Sequence, residues 1–321
     1  MKAVAVIEDI REMGAHARDM IPLLSSVADR LTSLELWVFY TGTPPEAFPC
    51  WPVPLTAVHR MAVAHDPVPD QLLDLLMRKA AAADADLYLF AGTDNGNCLA
   101  ARLGFRLKAG TCLGVESCHM TGETTLAAVR PVFGSRIQAR FVLDTPPWCL
   151  SAAQNPGRNP AMAEPVCPVC DHPQPAPCRP PWLTSTRVIP IETDDRLSGA
   201  DRILVLGNGV GSQDTLERLK PVARALGAQM GASRPVVMNG WLPLDRLVGV
   251  SGSVTAPSVC IVAGVSGTGV FCAGIRHAGF VVAVNTDPDA PVFRAADVGI
   301  VDDLVPVLLE LGRLIRGDEP A

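Results

Sequence analysis

Short β-rich apolar runs alternate with segments of helical spacing along most of this chain. Residues 3–9 (AVAVIED) form one such run, 20–32 (MIPLLSSVADRLT) carries helical spacing, and 34–40 (LELWVFY) is strand-like again. Residues 70–85 (DQLLDLLMRKAAAADA) predict an amphipathic helix leading into a buried strand at 86–92 (DLYLFAG), and 95–107 (NGNCLAARLGFRL) predicts another helix. A switch from apolar run to 3.6-residue period marks a βα unit. Its repetition predicts a mostly parallel sheet with helices on its faces. Residues 124–132 and 136–143, joined across Phe133-Gly134-Ser135, predict a hairpin that closes a first domain, 1–145.

The pattern then breaks. Eleven of the 29 prolines fall in residues 146–181. Proline lacks the amide that a helix interior or a central strand needs, so this composition predicts an inter-domain linker over 146–186. Alternation resumes from Arg187. The expected elements are a strand and Gly-rich turn (202–211), a helix over 212–227 interrupted at Pro221, a strand (258–264), and a Gly-rich turn with helix (265–279). Strands at 280–285 and 298–301 and a helix at 304–315 complete the set. The expected fold class is α/β, with two domains, each on a mostly parallel sheet, the C-terminal one (187–321) doubly wound.

Composition narrows the function. With 48% hydrophobic and 19% charged residues the chain is globular. A net charge of -6 at pH 7 argues against nucleic acid or an anionic membrane as partner. No apolar run has the length to span a bilayer, and the opening MKAVAVIED reads as a first strand and leaves no room for a targeting peptide, so a cytoplasmic location is expected. Ten cysteines spread along the chain predict free, mostly buried thiols in a reducing compartment.

In an open parallel sheet the ligand crevice lies off the carboxyl ends of the strands. In the second half those ends carry Gly207-Asn208-Gly209-Val210-Gly211, then Gly264-Val265-Ser266-Gly267-Thr268-Gly269, then Asn285, then Asp302-Asp303. Exposed amides at a Gly-rich helix start suit a pyrophosphate, and Ser266 and Thr268 add hydroxyls. Asn285 and the Asp pair have the chemistry to hold ribose or a base edge, with Pro288 and Pro291 stiffening the loop between them. Each residue taken singly also reads as a turn former or helix cap. Three strand ends together favour a nucleotide.

Cys167, Cys170, His172 and Cys178 supply the number of soft or borderline ligands that tetrahedral zinc takes, in a proline-rich loop. A second CxxC pair is absent, and no metal is expected. Cys118-His119 is expected at a strand end. No nucleophile elbow, no carboxylate pair beside a His and no Lys-containing phosphate loop is present, which leaves bond-making catalysis without support.

The order Gly231-Ala-Ser-Arg234, Gly240-Trp241, Val248-Gly-Val-Ser-Gly252, Ala256-Pro257, Gly264-Val-Ser-Gly267, VNTDPDAPVF (284–293) and ADVGIVDDL (296–304) resembles the flavin domain of electron-transfer flavoprotein alpha subunits. Residues 86–110 and 130–139 are similar to that family's first domain. The resemblance implies FAD held mainly on the second domain, and a beta subunit as obligate partner. It also implies relay of electrons between a flavin dehydrogenase and an acceptor, with no substrate chemistry of its own. Carried over by position, Ser233 and Arg234 lie near the isoalloxazine, where a cation favours reduced flavin. Val248, Gly249, Val250 and Ser251 follow, Ser251 standing where the family usually has Thr. Ser266, Gly267, Thr268, Gly269, Val270 and Phe271 form the turn around the flavin and its phosphates. Asn285, Asp303 and Leu304 hold the adenosine end.

Several positions depart from the family pattern. Val210 stands for an Arg, Val250 for a Gln, Thr286 for a Lys, and Val270-Phe271 for Gln-His. Three donors or cations replaced by Val210, Val270 and Phe271 imply a lower potential for the anionic one-electron state, or looser FAD; each charged hydrogen bond lost is worth roughly 1.5–3 kcal/mol. The same departures support an alternative, a flavin-free structural partner subunit. The central domain of thiamine-dependent enzymes has a similar fold but needs large flanking domains that this length does not supply.

Overall fold

The computed structural model describes residues 1–63, 67–133, 137–155, 159–172, 182, 184, 197 and 199–317. Two compact units divide the chain, Met1–Val132 with Ile137–Pro190, and Phe133–Arg136 with Ile191–Ala321. Both are built on parallel sheets.

In the first unit, β1 (Lys2–Ile7), β2 (Ser33–Tyr40), β4 (Ala57–Ala62), β5 (Leu87–Phe90), β6 (Gly110–Val115), β10 (Trp148–Ala152) and β12 (Val169–His172) make a seven-stranded sheet in the order β12-β4-β2-β1-β5-β10-β6. All its pairings are parallel. Helices α1 (Met13–Ser26), α2 (Pro69–Ala83) and α3 (Asp94–Leu107) accompany it. Separate buried clusters lie on its two faces, one around Met20, Leu36 and Leu89, the other around Trp37, Leu76 and Leu103. That two-sided burial explains the near-continuous apolar strands. A second, antiparallel sheet joins β7 (Ser117–Met120), β8 (Leu126–Val132) and β9 (Ile137–Leu143). The expected hairpin is therefore present but belongs to this separate sheet; Gly134 and Ser135 of its turn lie outside the described residues. A two-residue antiparallel ladder pairs β3 (Phe48–Pro49) with β11 (Met162–Ala163).

The linker over 146–186 is corrected by the structure. β10 is a central strand, between β5 and β6, with all five residues buried. Its sequence, WCLSA, contains no proline; the prolines flank it and leave every ladder amide in place. β12 then occupies the sheet edge, and the rest of 173–186 falls almost wholly outside the described residues. α1 also starts earlier than the expected 20–32. His16 and Asp19 are buried on its inner face, so a core-facing stretch reads as polar. Asp19 is held by the backbone N–H groups of Gly92 and Asn155, at 3.2 and 2.9 Å.

In the second unit β13 (Arg202–Leu206), β14 (Gln229–Ala232), β15 (Val259–Ala263), β16 (Val281–Asn285) and β17 (Val298–Val301) form an all-parallel sheet in the order β14-β13-β15-β16-β17. Helices α4 (Gln213–Ala225), α5 (Arg234–Met238), α6 (Gly269–Ile275) and α7 (Leu304–Arg316) complete the doubly wound unit. Pro221 does not interrupt α4. It is exposed, so the carbonyl it leaves unpaired faces water. The chain runs from β13 to β14 on one side and returns to β15 on the other. The strand order therefore reverses at the β13–β15 boundary, which is where such sheets open a crevice.

Candidate functional site

At that boundary two glycine turns meet backbone to backbone. A Cβ on Gly207 would lie 2.0 Å from the Gly264 carbonyl oxygen, and the Gly209 N–H donates to the same oxygen at 3.0 Å. Gly264 itself has φ +66°, a left-handed value that other residues adopt only with strain. Side chains on these turns would push the two loops apart. The glycines are needed for close approach, a stronger reason than flexibility alone.

A cleft of about 840 Å³ opens over the carboxyl ends of β13, β14, β15 and β16. β14 delivers Ser233, buried, and Arg234, exposed at the start of α5. The Arg234 Nη2 donates to Ser251 Oγ at 2.6 Å. Ser251 sits in a loop anchored by the Val248 N–H on the Ala232 carbonyl (2.9 Å), the Gly249 N–H on Ser253 (3.1 Å) and the Val250 N–H on Val270 (3.1 Å). Gly274 lets α6 pack against Gly249 (φ +138°), since a Cβ on Gly274 would lie 2.5 Å from the Gly249 Cα.

The β15–α6 loop forms the other wall. Ser266 and Thr268 are exposed into the cleft, and Thr268 is the N-cap of α6 without spending its hydroxyl on a cap bond. Asn285, at the end of β16, donates from Nδ2 to the Val265 carbonyl at 2.9 Å and accepts the Asp287 N–H at 3.0 Å. Asp287 accepts the Asp289 N–H on Oδ1 at 3.0 Å.

Of the residues expected to bind the cofactor, Ser233, Arg234, Val248, Gly249, Ser251, Ser266, Thr268, Val270, Phe271 and Asn285 line this cleft. Five do not. Val250 points to solvent, and Gly269 lines a separate cavity of about 480 Å³ with Cys272 and Arg276. Gly267 (φ +83°) shapes the loop from behind, where a Cβ would strike the Val292 nitrogen at 2.2 Å. Asp303 accepts the Val305 N–H at 2.8 Å and caps α7, while Leu304 is buried behind Gly264. The turn-and-cap reading thus describes Asp303, whose carboxylate does not reach the cleft. Asn208, Pro235, Leu247, Gly264, Val265, Asp287, Ala290 and Pro291 also line it. Asn208, Gly264 and Val265 were signalled by the glycine turns and Asp287, Ala290 and Pro291 by the run VNTDPDAPVF; Leu247 had no signal. Val210 is corrected too. Its side chain is buried in the core with Leu206 and Leu216, so only Val270 and Phe271 of the three apolar replacements face the cleft.

Three of the four metal candidates, Cys167, Cys170 and His172, are among the described residues, and they form no metal-binding group there. His172 turns to His59, Nε2 to Nδ1 at 3.0 Å, Cys170 is exposed, and Cys178 lies outside the described residues. No group of three His, Cys, Asp or Glu able to hold a metal is formed by the described residues. Cys118 and His119 lie inside β7, Cys118 buried. No described helix is long and apolar enough to cross a membrane.

The donor set fits FAD. Leu247, Val248, Val270 and Phe271 supply apolar walls for a flat ring, and Ser233, Ser251, Ser266 and Thr268 supply hydroxyls. Arg234 and Asp287 are the charged residues among those lining the cleft. The comparisons agree. The family model described as "Electron transfer flavoprotein FAD-binding domain" matches residues 196–276. The Escherichia coli (strain K12) protein named "Putative electron transfer flavoprotein subunit YgcQ" is 36% identical over 265 residues, which cover 82% of this chain and 90% of that one. Protein FixB of Rhizobium meliloti (strain 1021) is 30% identical over 265 residues, 79% of this chain and 71% of that one. The electron transfer flavoprotein subunit alpha of Thermoanaerobacterium thermosaccharolyticum is 43% identical over 117 residues, 36% of each chain.

Proposed function

Because the chain belongs to the electron-transfer flavoprotein alpha-subunit family, we propose that it is the alpha subunit of a cytoplasmic heterodimer, paired with a beta subunit. It would hold FAD in the cleft over β13–β16 and relay electrons between a flavin dehydrogenase and an acceptor. The observation that carries this reading is the cleft itself. Three Gly-rich or hydroxyl-bearing loops and one exposed cation converge on apolar walls at the strand-order reversal.

Bound FAD supplies reversible uptake and release of electrons, which none of the side chains here provides. The protein's share is positioning and electrostatics. Arg234 presents a positive charge to the cleft, which favours an electron-rich ring, and Ser251 fixes the guanidinium by accepting its N–H. Val248, Val270 and Phe271 exclude water from one wall. Gly264 and Gly267 let the loop pack closely against Gly209, Leu304 and Val292 behind it, which fixes the position of Ser266 in the cleft wall.

The test is a reductive titration of the chain co-purified with its beta partner, followed by reoxidation with an acceptor dye. Flavin absorbance that bleaches and recovers in equal measure is expected. A second reading, the flavin-free structural subunit, draws on the apolar Val270 and Phe271. A colourless complex that refuses added FAD would establish it in place of the carrier.

A further inference from the structure

We infer that Asn285 is a positioning residue: its side-chain amide staples the Val265–Ser266 loop to the turn after β16 and so holds one wall of the cleft in place. The inference rests on the reading that FAD binds there. Both ends of the amide are engaged, Nδ2 to the Val265 carbonyl at 2.9 Å and Oδ1 from the Asp287 N–H at 3.0 Å. The orientation is fixed by those partners. Turning the amide over would set Oδ1 against a carbonyl oxygen and Nδ2 against an N–H.

Two further contacts show what the staple holds. The Val292 N–H donates to the Ser266 carbonyl at 3.2 Å, and Gly267 lies so close to Val292 that a Cβ would meet its nitrogen at 2.2 Å. The loop is therefore pinned between the turn at 286–290 and the 3-10 turn Pro291–Ala295. Its start is tied by the Gly264 N–H on the Val284 carbonyl at 2.9 Å. Between that ladder bond and the long Val292 bond, Asn285 supplies the tie that carries Ser266 and Thr268, both cleft-lining. Aspartate at 285 would keep the acceptor for Asp287 but lose the donor to Val265. Leucine, of similar volume, would lose both.

The experiment compares Asn285→Asp and Asn285→Leu with wild type, using the full chain with its beta partner. Amide hydrogen exchange is measured before FAD is added, and FAD affinity afterwards. A net loss of one hydrogen bond corresponds to a change of about tenfold. Both variants should exchange the Val292 amide about tenfold faster and bind FAD about tenfold more weakly. The Asp287 amide should lose protection only in Asn285→Leu. Weaker FAD binding with Val292 exchange unchanged would overturn the inference and make Asn285 a direct ligand. Faster Val292 exchange with FAD affinity unchanged would overturn it as well. A wild-type complex that takes up no FAD would sink the flavin reading alone, because the exchange measurements still decide the staple.

Discussion

Two glycines of the second unit share a left-handed backbone but differ in what surrounds them. Gly264 has φ +66° and Gly227 φ +63°. A Cβ at Gly227 would meet nothing within 4 Å, whereas at Gly264 it would lie 2.6 Å from Leu304 Cδ2 and 2.9 Å from the Gly209 Cα. Alanine at either site carries the left-handed cost of roughly 1–2 kcal/mol. At Gly264 it also forces two backbones and a buried leucine apart, an overpacking cost of about 1–3 kcal/mol. Gly227→Ala should therefore lose about 1–2 kcal/mol and Gly264→Ala about 2–5 kcal/mol. Native-state exchange of the β13 and β15 amides reads this directly, because those strands form the centre of the sheet. Gly264→Ala should also weaken FAD binding, since it moves the loop that carries Ser266, while Gly227→Ala should leave affinity unchanged. Equal destabilisation by the two would refute the claim that close approach at the β13–β15 boundary is what the glycines are for.

Other outcomes follow from the same geometry. Trp148→Ala should destabilise the first unit by about 3–5 kcal/mol in urea unfolding, because the ring is 1% exposed on a central strand; a linker residue would cost far less. Asp303→Ala should cost about 1 kcal/mol through the lost α7 cap and leave FAD affinity at the wild-type value, as a calorimetric titration would show. His59 and His172 are both held below the usual imidazole range, first by burial and then by the Lys79 ammonium, which is 3.1 Å from His59 Nδ1. The unfolded chain then binds more protons below about pH 6.5, so stability is full above that pH and falls as pH drops through it. The loss should reach at most about 1.4 kcal/mol per pH unit for each histidine. Urea midpoints of wild type and His172→Ala between pH 7.5 and 5.5 should show a shallower dependence in the variant; parallel curves would contradict this.

The sequence carried the βα rhythm well where strands were buried on both faces, because continuous apolar runs such as Arg202–Leu206 leave little room for another reading. It misled where local composition and tertiary role diverged. Prolines at 146, 147, 156 and 160 hid β10, although none of them lies within it. Buried His16 and Asp19 disguised the first turns of α1; His16 lies beside Glu8, and Asp19 is held by the backbone amides of Gly92 and Asn155, far along the chain. In the site, motif residues located the cleft, and Ser233, Arg234, Ser251 and Thr268 stand in its walls. Motif position could not say which way a side chain points, and so Val210, Val250 and Asp303 were expected at a surface they do not reach. Leu247 enters the cleft only through packing, which no local pattern encodes.

Binding of FAD in this cleft is tested most directly by a flavin titration of the chain with its beta partner, wild type against Ser266→Trp. Ser266 is exposed and lines the cleft, so an indole there fills the space with little demand on the core. The wild type should saturate at one FAD in the cleft for each chain, and the variant should unfold like the wild type while binding FAD far more weakly. A variant that binds FAD as tightly as the wild type would place the flavin elsewhere and contradict the account.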